Sequence, residues 1–441
     1  MKNFLKKLFF VSVMLPTTLL CGITPTNFFV PYDSNLRPPF APDTKFRLGA
    51  AVEFGNTKTG QNWDSKKKNI LKLYDEQQDL LYALQSPVTA PVSEIAPEVV
   101  DFLIYAHGGI PGVINPAAPE SRLGLVGFEG RFHDIDTTLY GSYKFPFKIL
   151  SGGLKIGAYL PIRYVKIDGV EYTDFSPTQH LSDADEYFAE RYTKKFDLVK
   201  TYAKNFGNLD LGSSWSAIGF GDLIIMLDWI KCFKQDKEFL KKVILWIHGG
   251  ISVPTGKKKN EDIVLSMPLG NNGAWGLPFG LGLKLGLGSM LRVGVDADFL
   301  FLLDDTRLRR LKTNEHQTEM FLFNKGSATL EHGLLWKFNL FIEGFHLLDG
   351  LSLKINYQYT KHDEDKLSLR DNNFSYDIVN TANSLKEWNS HNVIFMANYD
   401  FLESKDKFPV APQIGLFYKL PVGGKGVINM HSFGGQVSIN F

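Results

Sequence analysis

From Leu277 to Leu287 every second residue is apolar: Leu277, Phe279, Leu281, Leu283, Leu285 and Leu287 alternate with Pro278, Gly280, Gly282, Lys284 and Gly286. After Gly288, Ser289 and Met290 the period returns, with Leu291, Val293, Val295, Ala297, Phe299, Phe301 and Leu303 set against Arg292, Gly294, Asp296 and Asp298. A period of two gives a strand one wholly apolar face and one polar or small face. The arms run about ten residues or more, and the pattern recurs to the end of the chain. It predicts an all-β protein, a transmembrane antiparallel β-barrel with an apolar outside and a polar, Gly-rich inside.

The same alternation predicts strands at 45–54, 122–146, 153–165, 216–229, 241–253, 276–287, 289–303, 328–345, 349–361, 390–401, 410–420 and 429–441. That is about twelve, with fourteen as the alternative count. In the first, Phe46, Leu48, Ala50, Val52 and Phe54 point outward and Arg47 and Glu53 inward. Connections then fall into two classes, as in bacterial barrels with long outer loops and short periplasmic turns. The outer loops are 55–121, 166–215, 254–275, 304–327, 362–389 and 421–428; the inner turns are 147–152, 230–240, residue 288, 346–348 and 402–409. The stretch 122–146 is irregular: Phe128 and Phe132 share one parity, Ile135, Leu139, Tyr143 and Phe145 the other. A bulge near His133–Asp134 would restore the register; if these are two strands, 45–54 leaves the wall and 22–121 becomes a plug.

Loop 55–121 is too long to lack structure. Lys66–Leu84 carries a partial apolar face (Leu71, Leu80, Leu81, Leu84) and predicts a short helix, while Pro87–Pro97 reads as extended. Whether the loop folds into the lumen as a constriction or stays outside is open. Residues 166–215, rich in Tyr, Asp, Glu and Lys, read as a surface-exposed loop.

The ends fit a secreted barrel. Lys2, Lys6 and Lys7, the apolar run Leu8–Leu15 and the small and polar residues of 17–22 read as a signal peptide over 1–22. Residues 23–44 follow as a periplasmic segment and 45–441 as the barrel. Pro16 and the short run argue against a membrane-anchoring helix, and bulky Leu20 before Cys21 argues against a lipoprotein signal. At the other end Phe433, Gly435, Val437, Ile439 and Phe441 alternate with polar residues. A last strand ending in Phe is similar to the signal read by the outer-membrane assembly machinery.

Composition narrows the chemistry. The 441 residues carry 48 basic and 47 acidic groups, and no basic stripe interleaved with aromatics points to nucleic acid. With Cys21 in the signal region, Cys232 is left alone, which excludes an intramolecular disulfide and a zinc framework. The expected partners are outer-membrane lipid and a small-molecule solute, and no cofactor or metal is implied.

In a barrel the chemistry belongs to the lumen. The register makes Arg47, Lys155, Arg163, Asp222, Trp246, His248, Lys284, Arg292, Asp296, Asp298 and Lys354 the lumen or substrate-path candidates, with Asp228, Lys337, Glu343 and Lys419 also inward. Both signs occur, so strong single-ion selectivity is not expected. Asp296 and Asp298 are expected to face Lys284 and Arg292 across the hairpin, pairs that serve structure first. Trp229, Trp336, Tyr357, Tyr359, Tyr399 and Phe441 sit at strand ends or on outward faces and read as interfacial anchors. Trp246 differs: it points inward beside His248.

Enzymatic patterns are not met. His431-Ser432-Phe433-Gly434 lacks the His-x-Ser-Asn-Gly motif of outer-membrane phospholipases. His362-Asp363 is one adjacent pair, whose side chains would leave a strand on opposite faces. Ile251 stands where a P-loop ending in Gly256-Lys257 would need its first Gly. No catalytic residue is assigned.

Three short runs carry a family resemblance. Gly219-Phe220-Gly221-Asp222-Leu223, then Val253-Pro254-Thr255-Gly256-Lys257, then Gly273-Ala274-Trp275-Gly276-Leu277 resemble a segment of outer-membrane barrels associated with meta-pathway phenol degradation, which are similar to the long-chain fatty-acid transporter superfamily of porins. The match covers roughly 216–303. Asn115-Pro116-Ala117 is similar to a tripeptide of the fatty-acid transporter plug, but lies much further along this chain. The resemblance implies passive uptake of small hydrophobic or aromatic molecules across a bacterial outer membrane. A general aqueous porin and a non-transporting barrel that binds partners through its outer loops are the alternatives.

Overall fold

The computed structural model describes residues 45–83, 124–175, 190, 193–348, 350–370, 373–401 and 410–441. The signal-peptide and periplasmic-segment expectations (1–44), Pro87–Pro97 and Asn115–Ala117 lie outside them. The wall is a closed antiparallel barrel of 12 strands, the number the alternation predicts. In chain order it is built from β1 (Phe46–Thr57), β2 (Leu125–Ile149), β3 (Gly152–Asp174), β4 (Trp215–Phe220), β5 (Leu223–Lys234), β6 (Leu240–Val253), β7 (Gly276–Leu287), β8 (Leu291–Leu302), β9 (Leu335–Leu348), β10 (Leu351–His362), β11 (Trp388–Asp400), β12 (Ala411–Lys425) and β13 (His431–Asn440). β4 and β5 share one wall position: β4 pairs with β3 at Ile162–Ile167 and β5 at Gly153–Tyr159, either side of a kink at Gly221–Asp222. β1 closes the ring by pairing with both β2 and β13.

The two faces of the wall are set by the period of two. Leu48 is 59% exposed while its neighbour Arg47 is 5% exposed. Leu281, Leu340, Leu353, Leu416 and Phe433 are likewise exposed around the ring, whereas Asn339, Asn356 and Asn440 are fully buried. An apolar band this extensive is incompatible with water and matches hydrocarbon. The chain is a transmembrane β-barrel. Aromatic anchors mark the band's margins: Trp229 donates to the Ile149 carbonyl (2.7 Å), Trp336 packs edge-on against Tyr359, and the Tyr357 and Tyr418 hydroxyls meet His391 and His431 at 2.6 and 2.8 Å.

The wall corrects four expectations. No parity switch occurs in β2 near His133–Asp134. Phe128, Phe132, Asp134, Asp136, Thr138 and Tyr140 all lie on the inward, buried side. β2 and β3 rise beyond the bilayer, and there the apolar side turns inward onto packed loops, so two apolar parities mean two apolar environments. The register shift lies higher, where Gly169 and Val170 of β3 oppose Gly130; Gly169 takes φ +60, the left-handed conformation a glycine accepts without strain. The predicted strand 328–345 is two elements: Lys325–Glu331 joins a small sheet with Asp305–Arg310 and Lys366–Leu369, and β9 starts at Leu335. Lys66–Leu84 is not one helix. It holds a short strand (Lys67–Asn69), a 3-10 turn (Ile70–Lys72), a two-residue strand (Gln78–Asp79) and one helical turn (Leu80–Ala83). Nor is 166–215 simply an exposed loop: β3 continues to Asp174, and helix α1 (Phe196–Gly207) buries Val199, Tyr202 and Ala203 completely.

Outer loops supply most of the apolar core. One buried cluster joins Ile70, Leu71 and Leu80, Tyr202 of α1, Leu265 and Leu269, Phe321 and Ile428 to Phe128, Phe132, Val165 and Ile167 of the upper wall. These wall residues share the parity of Asp134, Asp136 and Arg163, so the cluster sits against the inner surface of the mouth. It forms a cap.

Candidate functional site: a charged lumen beneath an apolar cap

The lumen is organised in rows of residues opposite one another on successive strands, which share a face. One row reads Lys155, Asp228, His248, Gly280, Asp298, Lys337 and Thr360 from β3 to β10. Its charges meet in sequence: Lys155 Nζ lies 3.1 Å from Asp228, His248 Nε2 2.8 Å from Asp298 Oδ1, and Lys337 Nζ 2.7 Å from Asp298 Oδ2. Gly280 has no side chain where His248 must cross to Asp298. Ionic groups this buried persist only when paired.

The next row sets Trp246 opposite Gly282, then Asp296, Asn339 and Gln358. The indole lies over Gly282, where a Cβ would come within 2.1 Å of it. Asn339 donates to Asp296 (2.8 Å) and accepts from Asn356 (2.9 Å) and Gln358 (3.1 Å). Large inward rings elsewhere also lie over neighbouring glycines, Tyr140 over Gly49, Phe341 over Gly294 and Phe417 over Gly434. The Gly-rich interior is therefore half of a large-and-small packing arrangement.

The remaining candidates fall into separate groups. Arg163 joins Asp134 (3.0 Å) and Asp136 (2.5 Å). Arg47 donates to Asn440 (2.9 Å) and Gln413 (3.2 Å). Lys419 and Ser432 both donate to Glu53, at 2.7 and 2.5 Å. The expected hairpin pairing of Asp296 and Asp298 with Lys284 and Arg292 does not form. Lys284 stands opposite Gly294 and Arg292 opposite Gly286; both cations approach Glu343 instead, each at 3.7 Å. Lys354 lies over the Phe341 ring at 4.3 Å.

Asp222 occupies the wall kink, where its carboxylate accepts the backbone N–H groups of Gly256 (2.9 Å) and Asn271. Thr255 Oγ1 donates to the Gly221 carbonyl and accepts from Leu223 N–H, both at 2.9 Å. The Gly-Asp and Pro-Thr-Gly runs are thus two halves of one joint.

Sequence reasoning missed Asp134 and Asp136, whose alternation was masked by the apparent parity switch, and it missed the latch of the cap. There the Glu319 carboxylate accepts Ser384 N–H (3.2 Å), Asp75 accepts Glu319 N–H (2.9 Å), and Asn383 donates to Asp75 (3.2 Å). Three outer loops meet on two acids, Glu319 buried and Asp75 half-buried. Burial, reinforced by Asp75, pushes Glu319 up to about 8, and burial also raises Asp75. No signal in the sequence pairs positions 75, 319 and 384.

No protein-family model matches the chain, and no curated protein matches it. Among solved structures the barrel is similar to an outer-membrane channel from Pseudomonas putida F1, with 12% identity over 94% of this chain and 100% of that chain at a TM-score of 0.48. It is also similar to the P. putida toluene transporter TodX (10% identity, 91% of each chain, TM-score 0.28) and to a Pseudomonas aeruginosa FadL homologue (8%, 90% of each, 0.28).

Proposed function

We propose that the barrel carries small hydrophobic solutes, aromatic ones included, passively across the outer membrane. The observation that carries this reading is the outer mouth, lined and packed by apolar side chains such as Phe128, Phe132, Val165 and Phe321. An aqueous porin would be hydrated there. Further apolar inward patches lie below, one of Tyr140, Tyr159, Ile224 and Met226 and one of Ile394, Met396 and Phe417. Between them lie the buried, paired charges of the polar rows.

The buried, paired charges of the lumen favour a second reading, a barrel that binds partners with its outer loops and transports nothing. Two measurements separate the readings. The refolded protein in a planar bilayer should pass little current in simple salt, and a porin-deficient host expressing it should accumulate radiolabelled toluene faster than the empty host. A large steady conductance would establish an aqueous pore instead. Low conductance with no gain in toluene uptake would leave the surface-binding reading.

A further inference from the structure

On the lipid face of β8 to β13, two neighbouring rows differ in bulk. The row nearer the cap reads Val293, Ile342, Ile355, Phe395, Tyr418 and Phe433. The row below it reads Leu291, Gly344, Leu353, Ala397, Leu416 and Gly435, a leucine alternating with a residue that has one side-chain carbon or none. Both rows point outward, being two residues apart on every strand. Between them run Lys354, Met396 and Phe417, whose side chains are buried on the lumen side, so only their backbone is turned toward lipid. Large side chains therefore overhang gaps at Gly344 and Ala397, and an open apolar groove of about 570 Å³ results.

Its direction and length select the occupant. The lower row starts at Leu291, the first residue of β8, at the end of the barrel away from the cap, and finishes at Gly435, midway along β13. Five strand spacings of about 4.8 Å make it about 24 Å long. Strands of such barrels tilt about 40° from the membrane normal, so a row perpendicular to them climbs about 15 Å over that length. That is half of a hydrocarbon core about 30 Å thick. The groove crosses one leaflet, the one away from the cap, and stops near the bilayer centre. The Tyr418 hydroxyl at its edge is engaged by His431 at 2.8 Å, which leaves the groove to apolar contact.

We propose that this groove holds one acyl chain of a phospholipid from the leaflet away from the cap. The groove is continuous with the apolar band that faces hydrocarbon, so lipid is what it meets. A chain lying in it touches protein below and on both sides, whereas a chain on the convex wall touches it on one side only. Each added carbon contact contributes little, but a whole chain collects many of them. The lipid in the groove therefore stays on the barrel when the surrounding lipid exchanges. The inference rests on the transmembrane barrel and not on what the barrel transports.

The test is native mass spectrometry of the full chain extracted from membranes in nonionic detergent. A single phospholipid should remain on the folded barrel after washing has removed the others. Lipid-free refolded barrel, titrated with palmitoyl-oleoyl phosphatidylethanolamine, should take up one molecule saturably. Ala397→Phe fills the groove and should lower that occupancy about five-fold or more, with Ala397→Leu intermediate. Leu281→Phe, on the lipid face of β7 outside the groove, should leave occupancy unchanged. The heat-dependent gel shift shows that each variant is folded. No retained lipid, or occupancy indifferent to Ala397, would overturn the proposal. A retained phosphorylated glycolipid of the opposite leaflet would overturn it as well. So would a dimer that Ala397→Phe dissociates, which would give the groove to a second copy of this chain.

Discussion

His248 and Asp298 stand on β6 and β8, with β7 between them, yet His248 Nε2 lies 2.8 Å from Asp298 Oδ1. They meet across the backbone of Gly280. A Cβ there would fall 2.4 Å from the imidazole Nε2 and 2.5 Å from the carboxylate. One missing side chain lets a charged row skip a strand, and Lys337 completes the group from the far side of Asp298.

Gly280→Ala should therefore destabilise the barrel by about 1–3 kcal/mol, the usual cost of overpacking a well-filled interior. Urea unfolding in lipid vesicles, followed by the heat-dependent gel shift of the folded barrel, would measure it. An unchanged midpoint would mean that the His248–Asp298 contact is not needed.

Asp222→Ala removes the acceptor for two backbone N–H groups at the wall kink. Hydrogen bonds to a charged acceptor contribute about 1.5–3 kcal/mol each, and the joint is partly accessible to water that can replace them. A loss of about 2–4 kcal/mol is expected. Faster amide exchange should be confined to 254–271 and the ends of β4 and β5, and exchange spread evenly over the barrel would contradict the local role.

The latch predicts a pH dependence. Glu319 moves from an ordinary 4.5 to about 8 on folding, so the folded cap binds this proton more tightly than the unfolded chain does. Its stabilising effect is complete below about 4.5 and is lost progressively as pH rises to about 8. Asp75, also raised, acts in the same direction, while Lys312, and Lys386 facing Asp75, oppose it. The melting temperature of the cap, read by near-ultraviolet circular dichroism, should fall across that window by the equivalent of a few kcal/mol. Glu319→Gln should flatten the profile; an equally steep profile in the variant would place the titration elsewhere.

Tyr202 is fully buried in the cap and its hydroxyl donates to the Leu80 carbonyl. Tyr202→Ala leaves a cavity worth about 3–5 kcal/mol by analogy with other aromatic truncations. The cap should become protease-sensitive around 70–83 while the barrel keeps its heat-dependent gel shift. Loss of both together would mean that cap and wall fold as one unit.

Much of this was legible in the chain because a bilayer imposes one rule on every strand. Lipid demands an apolar side chain at each outward position, so β1, β7, β8, β10 and β13 carry an unbroken period of two, and loop lengths fixed which ends face outward. Where the surroundings differ from lipid the rule fails. The upper part of β2 lies above the bilayer and packs its apolar side inward, so Phe128 and Phe132 looked like a change of register.

The sequence by itself determined the strand number and, wherever the alternation is unbroken, the inward and outward faces, since each depends only on parity along a single strand. Partnership was decided by tertiary structure alone. Whether Asp298 meets Lys284 or Lys337, whether Glu343 serves one cation or two, and that Asp75, Glu319 and Ser384 converge, all depend on stagger between strands and on how loops fold over the mouth. Those are relations between segments up to hundreds of residues apart, and the local alternation of apolar and polar residues is the same for every stagger that keeps its parity.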